Sequence, residues 1–400
     1  MNILVTGAKG FIGKNLCESL KCVRDGKDRT RPWLHIEDIY EYDIDSSSEE
    51  LSDYCRKADF VFHLAGVNRP KDEKEFRTGN VGLSGDVLSE LSKQGSTATV
   101  VLSSSVQATL SGRFGVSEYG ISKRDAEELV FSYGEKTGVP VYVYRFPNVA
   151  GKWARPNYNS AIVTFCYNIS RGLPVTVNNR ETVLDILFVE DLVAEFIDNA
   201  LKGTPSRCDF EGTDPVFKET GRYCGCPVTY KASLGSIVDT LYAFSDFGNT
   251  LVIPEMKEGS FEKKLISTFI SYFPGEKVSV CPKTSSDSRG SFTELIKNPG
   301  FGQISVNVTR PLETKGQHWH HAKWEIFTVV SGRALIRERQ IGSDTVIEKE
   351  VSGDTPENVF MLPGYTHSIK NMSEKDDLVT IMYANEVFDS GRPDTFRENV

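Results

Sequence analysis

Short apolar runs of strand length alternate with helical stretches over the first 145 residues of the chain. The helical stretches repeat their apolar positions every three to four residues, whereas the strand-like runs are nearly continuous. This alternation predicts right-handed βαβ units and a parallel sheet. The predicted strands are residues 2–6, 39–42, 59–64, 99–102 and 141–144, and the predicted helices are residues 12–20, 83–93 and 122–137.

The pattern changes twice further along the chain. Residues 150–275 are less regular, with amphipathic stretches at 236–247 and 261–272 that predict a smaller, mostly helical substrate lobe. From Val278 onward, short alternating runs with turn residues between them predict an all-β sandwich or barrel. These runs are residues 303–308, 326–330, 334–338, 345–351 and 378–383. We therefore expect two domains, 1–283 and 284–400, and find no functional interpretation for residues 204–228.

Composition narrows the classes of function. The chain has 400 residues and a net charge of −9, without a basic cluster of the kind that binds nucleic acid. No apolar stretch reaches the ~18 residues of a membrane span. Because the chain starts with a strand rather than a signal peptide, we expect a cytoplasmic protein whose eight cysteines are reduced.

A glycine-rich turn follows the first predicted strand and opens a helix. Gly7, Gly10 and Gly13 have the spacing G-x-x-G-x-x-G, with Phe11 and Ile12 between the last two. Such glycines permit a tight turn, approach of a pyrophosphate and close packing of helix on strand. The turn predicts a dinucleotide site for NADH or NADPH.

The choice between the two nicotinamide cofactors depends on the end of the second strand. Asp43 lies there, 30 residues past Gly13, and could bind the adenosine ribose. A carboxylate would favour NADH by repelling a 2′-phosphate. Arg29 or Arg31, in a predicted inserted loop, could instead accept NADPH, and Asp43 could be only a solvated turn residue.

Tyr119 and Lys123 form a Tyr-x-x-x-Lys pair that shares one face of a predicted helix. An ammonium near a tyrosine is expected to lower the hydroxyl pKa from its usual ~10, which yields a usable acid. A serine run, residues 103–105, ends the preceding strand and could orient a carbonyl group. Leu64, Ala65 and Gly66 end another strand on the same side and are expected to contact the cofactor.

Together these motifs resemble the extended short-chain dehydrogenases/reductases, which have a Rossmann fold. The resemblance implies that the catalytic serine is Ser105, the last of its run. Asn148 lies in the segment 145–151, which that family places beside the nicotinamide and the nucleotide-sugar phosphates. Asn80 matches a family asparagine near the active site, although an asparagine there could also be a helix N-cap.

Four of the six histidines fall between residues 318 and 367. His318, His320 and Glu325 form His-x-His-x4-Glu, and His367 closes a Pro-Gly-x-x-His. Three imidazoles and a carboxylate suit a first-row divalent metal, which we expect to be zinc. The spacing resembles both motifs of the cupin (jelly-roll barrel) family, although a cupin barrel can also have lost its metal.

A second resemblance offers another role for the first histidine. Residues 287–294 resemble the D-x-R-G-x-F-x-E segment of nucleotide-sugar epimerases, which are metal-free cupin barrels. This resemblance implies that Arg289 and Glu294 contact a nucleotide sugar and that His318 is a general base. His318 is therefore either a metal ligand or a free base.

The combination of the two domains resembles the bifunctional capsular polysaccharide enzymes of the CapF type. Residues 66–70, 155–160 and 315–320 carry the resemblance further, and we expect Asn159 to bind substrate. The implied substrate is a UDP-linked 4-keto-6-deoxy-N-acetylhexosamine on the route to L-fucosamine. The cupin would epimerise carbon 3, the reductase would reduce carbon 4, and we expect a homodimer.

Two other functions fit the same motifs. One is a 4-epimerase or dehydratase that recycles bound NAD, and the other is a reductase with a cupin that only senses or scaffolds.

Overall fold

The computed structural model describes residues 1–115 and 117–400, without the side chain of Arg113. Internal contacts divide the chain into two units, Met1–Asp239 with Lys264–Phe273, and Thr240–Lys263 with Pro274–Val400. Residues 240–263 and 274–283 thus fall in the second unit, and the domain boundary between residues 283 and 284 stays a prediction.

The first 150 residues have the alternating order expected of a βαβ fold. They form β1 (Ile3–Thr6), α1 (Phe11–Arg24), β2 (Ile39–Tyr42), α2 (Ser48–Lys57), β3 (Phe60–His63), α3 (Lys74–Phe76), α4 (Leu83–Lys93), β4 (Thr99–Ser105), α5 (Glu118–Thr137), β5 (Val141–Phe146) and β6 (Asn148–Ala150). All five predicted strands and all three predicted helices are present. Helix α2 was not predicted, because only Leu51 and Cys55 of its ten residues are buried and its apolar stripe is therefore narrow.

The main sheet has eight strands, and the first five in its spatial order are parallel neighbours. Its order begins β2-β1-β3-β4-β5, and every pairing among these strands is parallel. The chain turns back from β2 across β1 to reach β3, so the sheet has its topological switch point between β1 and β3. Ligands of open α/β sheets bind outside the carboxyl ends of the strands at such a point.

Side chains of alternate strand residues pack into two separate hydrophobic cores, one on each face of the sheet. Ile3, Val5 and Phe62 pack on one face with residues of α1 and with Val189 and Leu192. Leu4 and Val61 pack on the other face with residues of α2, α4 and α5. Strands β1, β3, β4 and β5 are buried on both faces and therefore read as nearly continuous apolar runs, whereas the edge strand β2 has no buried residue.

The region predicted as a mostly helical lobe contains as many strands as helices. It forms α6 (Ala161–Ser170), β7 (Val183–Phe188), α7 (Val189–Glu195), β8 (Arg207–Glu211), β9 (Asp214–Phe217), β10 (Tyr223–Cys224), β11 (Tyr230–Ser233), α8 (Leu234–Ser245), α9 (Phe247–Thr250) and α10 (Phe261–Ile270). The prediction was wrong for residues 204–228. Strand β10 pairs parallel with β5, and β8 and β9 follow antiparallel, so this segment extends the main sheet.

The remaining strands form two antiparallel sheets. They are β12 (Thr284–Asp287), β13 (Gly290–Asn298), β14 (Gly302–Thr309), β15 (Thr314–Trp319), β16 (Glu325–Ser331), β17 (Arg333–Gln340), β18 (Val346–Ser352), β19 (Asn358–Met361), β20 (Tyr365–Asn371), β21 (Leu378–Ala384) and β22 (Phe396–Arg397). One sheet has the order β12-β13-β14-β21-β16-β19, and the other has the order β18-β17-β20-β15-β22. The all-β prediction for this region is confirmed.

The core of the second unit joins its two sheets. Phe327 and Val329 of β16 pack with Ala334 and Ile336 of β17 and with Ile369 of β20. Polar residues of these sheets are buried as well, and both His367 of β20 and Thr380 of β21 are fully buried. Within the described residues, no helix is long and apolar enough to cross a membrane.

Candidate active site and metal centre

The glycine-rich turn closes tightly at the carboxyl end of β1. Gly7 has a φ of +69°, and a Cβ there would lie 2.8 Å from the Ala65 backbone. A Cβ at Gly13 would lie 2.1 Å from the Gly7 carbonyl oxygen, so α1 packs against the turn only because both residues lack side chains. Gly10 is the N-cap of α1 and offers no side-chain cap. The free N–H groups of the first helical turn therefore form an anion site.

This turn borders a cleft of about 1170 Å³ in the first unit. The predicted cofactor residues that line the cleft are Gly7, Gly10, Phe11, Ile12, Gly13, Leu64, Gly66 and Lys123. The backbone of Ala65 forms part of the wall against Gly7. The absence of Cβ atoms and the uncapped helix fit the diphosphate of a dinucleotide at this place.

Asp43 lies directly after β2, and its carboxylate holds the glycine-rich turn. It accepts N–H hydrogen bonds from Lys9 at 2.7 Å and from Ile44 at 2.8 Å. Arg31 is occupied elsewhere, because its guanidinium pairs with Asp198 at 2.7 Å and with Asp28 at 2.6 Å. The other arginine considered for a 2′-phosphate, Arg29, is exposed and has no comparable ion pair among the described residues.

Ser105, Tyr119 and Lys123 meet in the cleft. Ser105 ends β4, and Ser117 caps α5 by accepting the Gly120 N–H. Tyr119 and Lys123 therefore lie in the first two turns of α5, on one face. The Lys123 ammonium is buried and donates to the Ser103 carbonyl at 3.0 Å. The predicted triad is assembled, although the roles of its members stay predictions.

The two titratable groups of this triad have shifted pKa values. Burial lowers the pKa of Lys123 to about 8, against the raising effect of the Glu127 charge. Burial raises the pKa of Tyr119 to about 12, and a hydrogen bond with Ser105 opposes this rise. The expected lowering of the Tyr119 pKa is thus wrong for this structure, because the desolvation of the phenol outweighs any effect of the ammonium.

Asn80 does not line the cleft in this structure. Its side-chain oxygen accepts the Val67 N–H at 2.8 Å, and its amide nitrogen donates to the Val67 carbonyl at 3.0 Å and to Ser122 at 2.9 Å. A Cβ at Gly66 would lie 2.8 Å from the Asn80 oxygen. The residue positions the 66–67 turn behind the wall of the cleft, and its contact with substrate stays a prediction.

The second unit brings the four predicted ligands together between its sheets. His318, His320, Glu325 and His367 each offer one ligand atom, and these atoms all lie within 4.8 Å of one another. Strands β15 and β20 supply two of the histidines, and β16 begins with the glutamate. His321 is exposed and packs its ring on Trp319 instead, as its alternation along the strand predicts.

The chain leaves several of these buried polar atoms without a hydrogen-bond partner. They are His320 Nε2, Glu325 Oε2 and both ring nitrogens of His367. Burial alone would raise the pKa of Glu325, but His320 and His367 together hold it well below its usual range. Burial lowers the pKa of His318 to about 4, so this ring is neutral at pH 7 and can offer a lone pair. Three imidazole nitrogens and one carboxylate oxygen fit a zinc ion.

Known proteins match this arrangement along the whole chain. Residues 3–203 match the NAD dependent epimerase/dehydratase family, and residues 285–396 match the polysaccharide biosynthesis C-terminal domain. A UDP-2-acetamido-2,6-beta-L-arabino-hexul-4-ose reductase from Pseudomonas aeruginosa is 36% identical over 396 residues, which are 99% of this chain and 98% of that protein. The crystal structure of capsular polysaccharide assembling protein CapF from Staphylococcus aureus has a TM-score of 0.87 and 44% identity, with 100% of both chains covered.

The chain belongs to the CapF-type family. A more distant structure, the UDP-glucose 4-epimerase of Thermus thermophilus, has a TM-score of 0.51 at 16% identity, over 70% of this chain and 100% of that chain. That likeness shows only a shared fold.

The CapF-type chain adds a buried ion pair behind the triad that sequence reasoning missed. Glu127 lies one turn beyond Lys123 on α5 and accepts from the Arg145 guanidinium at 2.9 and 2.6 Å. Ser104 also donates to Glu127, and the Arg145 guanidinium stacks 3.7 Å from the Tyr223 ring centroid. The signal in the sequence was the extended spacing Tyr-x-x-x-Lys-x-x-x-Glu, which puts all three residues on one helical face.

The far wall of the cleft contains residues that were predicted and residues that were not. Asn148 and Asn159 line the cleft as expected, and Asn148 donates to the Asp185 carbonyl at 3.0 Å. The hairpin β8–β9, which had no predicted role, contributes Phe210, Asp214 and Phe217. No local motif marks such a wall, because its position depends on the pairing of β10 with β5.

Arg289 and Glu294 lie outside the metal cluster. Arg289 pairs with Asp287 at 2.6 Å and its side chain is half exposed, whereas Glu294 pairs with Lys297 at 2.7 Å. Glu294 is opposite Ser305, Ser305 is opposite Met382, and Met382 is opposite Phe327. Glu294 thus lies in the same cross-strand row as Phe327, which is two positions after Glu325. Its contact with a nucleotide sugar stays a prediction.

Proposed function

We propose that this chain carries out two successive steps on a UDP-linked 4-keto-6-deoxy-N-acetylhexosamine in capsular polysaccharide biosynthesis. The second unit epimerises carbon 3, and the first unit reduces the ketone at carbon 4. The observation that carries the proposal is the assembly of the glycine-rich turn, Ser105, Tyr119 and Lys123 in one cleft of a CapF-type chain. The printed activity of the relative from Pseudomonas aeruginosa supports the reductive step.

In the first unit, a bound NAD(P)H supplies the hydride. Tyr119 holds its proton at neutral pH, because its pKa is about 12, and it can donate that proton to the oxygen at carbon 4. Lys123, with a pKa of about 8, is mostly protonated at pH 7 and stabilises the tyrosinate that remains. Ser105 donates a hydrogen bond that orients the carbonyl group.

Asp43 favours NADH over NADPH in this proposal. Its carboxylate is fixed beside the glycine-rich turn by the N–H groups of Lys9 and Ile44. A fixed negative charge there would repel a 2′-phosphate. The pairing of Arg31 with Asp28 and Asp198 removes one of the two cations that could have reversed this preference.

In the second unit, a divalent metal held by His318, His320, Glu325 and His367 would polarise a carbonyl oxygen. The orphaned polar atoms of this cluster support zinc as that metal. Epimerisation requires removal of the proton at carbon 3, and the neighbouring ketone acidifies that C–H bond. The epimerisation must therefore precede the reduction. If His318 is instead a free base, it would take this proton and the metal would be dispensable.

The experiment uses the purified full chain with a UDP-4-keto-6-deoxy-N-acetylhexosamine and either NADH or NADPH. We expect loss of the nicotinamide absorbance and, by NMR, one product with inverted configuration at carbon 3 and an alcohol at carbon 4. A reduced product with unchanged configuration at carbon 3 would indicate a reductase without epimerase activity. Turnover without added nicotinamide, by a chain that copurifies with NAD, would instead indicate a 4-epimerase or dehydratase. A homodimer and a cytoplasmic location remain predictions.

A further inference from the structure

The strand that carries His318 is irregular directly before this ligand. Strand β15 pairs with β20, and the register shifts between Gly316 and His318. Gln317 occupies this bulge with a φ of +61°, a left-handed conformation that strains a residue with a side chain. The bulge changes the direction of His318, so something must hold Gln317 in place.

Residues 394–400 bind this bulge from the open edge of β15. Strand β22 pairs there, with Arg397 opposite His318 and Phe396 opposite Trp319. The Glu398 N–H donates to the Gln317 carbonyl at 3.1 Å, and the Val400 N–H donates to the Gln317 side-chain oxygen at 2.8 Å. Both acceptors of the strained residue are thus used by this one segment.

The same segment also fixes the second histidine. His320 Nδ1 hydrogen-bonds to the main-chain oxygen of Asp394. A carbonyl oxygen can only accept, so Nδ1 carries the hydrogen and a neutral ring has its lone pair on Nε2. That Nε2 atom is buried, without a hydrogen-bond partner, and 3.6 Å from Glu325. The hydrogen bond to Asp394 therefore selects the tautomer that a metal requires.

The carboxylate of Asp394 fixes the turn that follows His320. It accepts three successive main-chain N–H groups, from His321 at 2.8 Å, Ala322 at 2.8 Å and Lys323 at 2.9 Å. The Lys323 ammonium also donates to Thr395 at 3.0 Å. One aspartate thus holds the ring of His320 through its main chain and the backbone after His320 through its side chain.

We propose that residues 394–400 are a positioning element of the metal centre, in which Asp394 orients His320 and the following residues hold the bulge that aims His318. This proposal rests on the proposed zinc site. It assigns a role to a segment that contains none of the four ligands. The segment is expected to raise zinc affinity by keeping two of the ligands in place before the ion binds.

The test measures zinc affinity of the metal-stripped full chain by competition with a chromogenic zinc chelator. Asp394→Ala keeps the main-chain oxygen that contacts His320 Nδ1, but it loses the three hydrogen bonds that hold the turn after His320. Because this turn places His320, the variant is expected to weaken zinc binding by about 10–100-fold. Asp344→Ala removes an exposed aspartate of the same unit and is expected to bind zinc like the wild type. Asp394→Asn keeps one acceptor oxygen and is expected to lie between them. If Asp394→Ala does not fold, Asp394→Asn is compared with the wild type instead.

A second variant separates positioning from a merely structural role. Glycine adopts a positive φ without strain. Loss of the Asp394 side-chain contacts is expected to loosen the whole segment 394–400, including its hydrogen bonds to Gln317. Gln317→Gly in the Asp394→Ala background is therefore expected to recover part of the lost zinc affinity, although it removes the hydrogen bond to Val400. Nitrogen NMR of histidine-labelled chain should also show the Nδ1–H form of His320 in the metal-free wild type and a mixture of tautomers in Asp394→Ala.

Two negative results have different meanings. Zinc binding by the wild type together with an Asp394→Ala affinity within about twofold of it would overturn the positioning role and leave the metal site standing. No recovery with Gln317→Gly would overturn the role of the bulge. Failure of the wild type to bind zinc would overturn both this proposal and the metal chemistry of the second unit.

Discussion

The cleft of the first unit and the metal cluster of the second differ in how far the chain alone satisfies their polar groups. In the cleft, the Lys123 ammonium has the Ser103 carbonyl, and Glu127 has Arg145 and Ser104. In the cluster, His320, Glu325 and His367 keep buried atoms without a hydrogen-bond partner. The chain thus satisfies the polar groups of the first site by itself, whereas the proposed zinc ion would satisfy those of the second.

Because of this difference, the stability of the second unit should depend on a bound ligand more than the stability of the first unit does. A buried polar atom without a partner costs about 1–3 kcal/mol, and an ion that satisfies several such atoms stabilises the fold that holds them. Cofactor binding should therefore change activity more than folding in the first unit. Metal binding should change both in the second.

The largest expected effect comes from removing the proton donor of the organised site. Tyr119→Phe should lower the rate of ketone reduction by about 10²–10⁴-fold, because the phenolic proton is lost while the ring packing stays. Reduction rate and zinc content are measured on the same preparation. Tyr133→Phe, which changes a core tyrosine of the same helix, is the control and should reduce normally. A Tyr119→Phe variant with more than half of the wild-type rate would exclude this role.

Metal removal should have the next largest effect and should act on the second unit alone. At a thousandfold excess over its dissociation constant, zinc stabilises a fold by about 4 kcal/mol. Calorimetry of chelated and zinc-loaded chain should therefore show one unfolding transition that moves up with zinc. Glu325→Gln should remove most of that increase. Equal transitions in both samples would show that the cluster needs no ion.

A smaller effect is expected from the ion pair behind the triad. The Glu127 charge raises the pKa of Lys123 against burial, and the result is a pKa of about 8. Lys123 is protonated below that value, so kcat/KM for reduction should fall as the pH rises through about 8.

Glu127→Gln removes the raising effect and should move the alkaline fall of this profile to lower pH. Glu128→Gln changes the exposed neighbour, which pairs with Arg222, and should leave the profile in place. Identical profiles for the two variants would contradict an electrostatic role for Glu127.

The smallest expected effect concerns cofactor choice. The wild type should prefer NADH, and Asp43→Asn should reduce the ratio of kcat/KM for NADH over NADPH several-fold, because a fixed negative charge is lost. Asp45→Asn, which removes the partner of the Lys9 ammonium, is the control. A wild-type preference for NADPH above tenfold would refute this assignment and implicate Arg29.

The sequence predicted the parallel strands because four of the five are buried on both faces and read as nearly continuous apolar runs. Several strands of the second unit, among them β13 and β20, did not appear in the hydrophobic pattern. Strand β20 buries successive polar residues, such as Thr366, His367 and Ser368, and therefore has no apolar alternation. The grouping of His318, His320, Glu325 and His367 was predictable from the spacing of the histidines.

Other features depend on contacts distant in sequence and had no local signal. The wall formed by β8 and β9 exists because β10 pairs with β5, and no turn motif near residue 204 encodes that pairing. The raised pKa of Tyr119 follows from burial, which spacing does not show. The hydrogen bonds between the Asp394 carboxylate and the turn after His320 join residues that are more than 70 positions apart.

Isotope exchange at carbon 3 shows whether one chain holds two separate chemistries. The full chain is incubated in heavy water with a UDP-4-keto-6-deoxy-N-acetylhexosamine and no nicotinamide, and NMR follows deuterium at carbon 3. We predict exchange by zinc-loaded wild type and by Tyr119→Phe, and none after chelation or in Glu325→Gln. Exchange that survives chelation but not His318→Ala would make His318 a free base. No exchange by zinc-loaded wild type would contradict the proposed epimerisation and would indicate a reductase whose second unit is only structural.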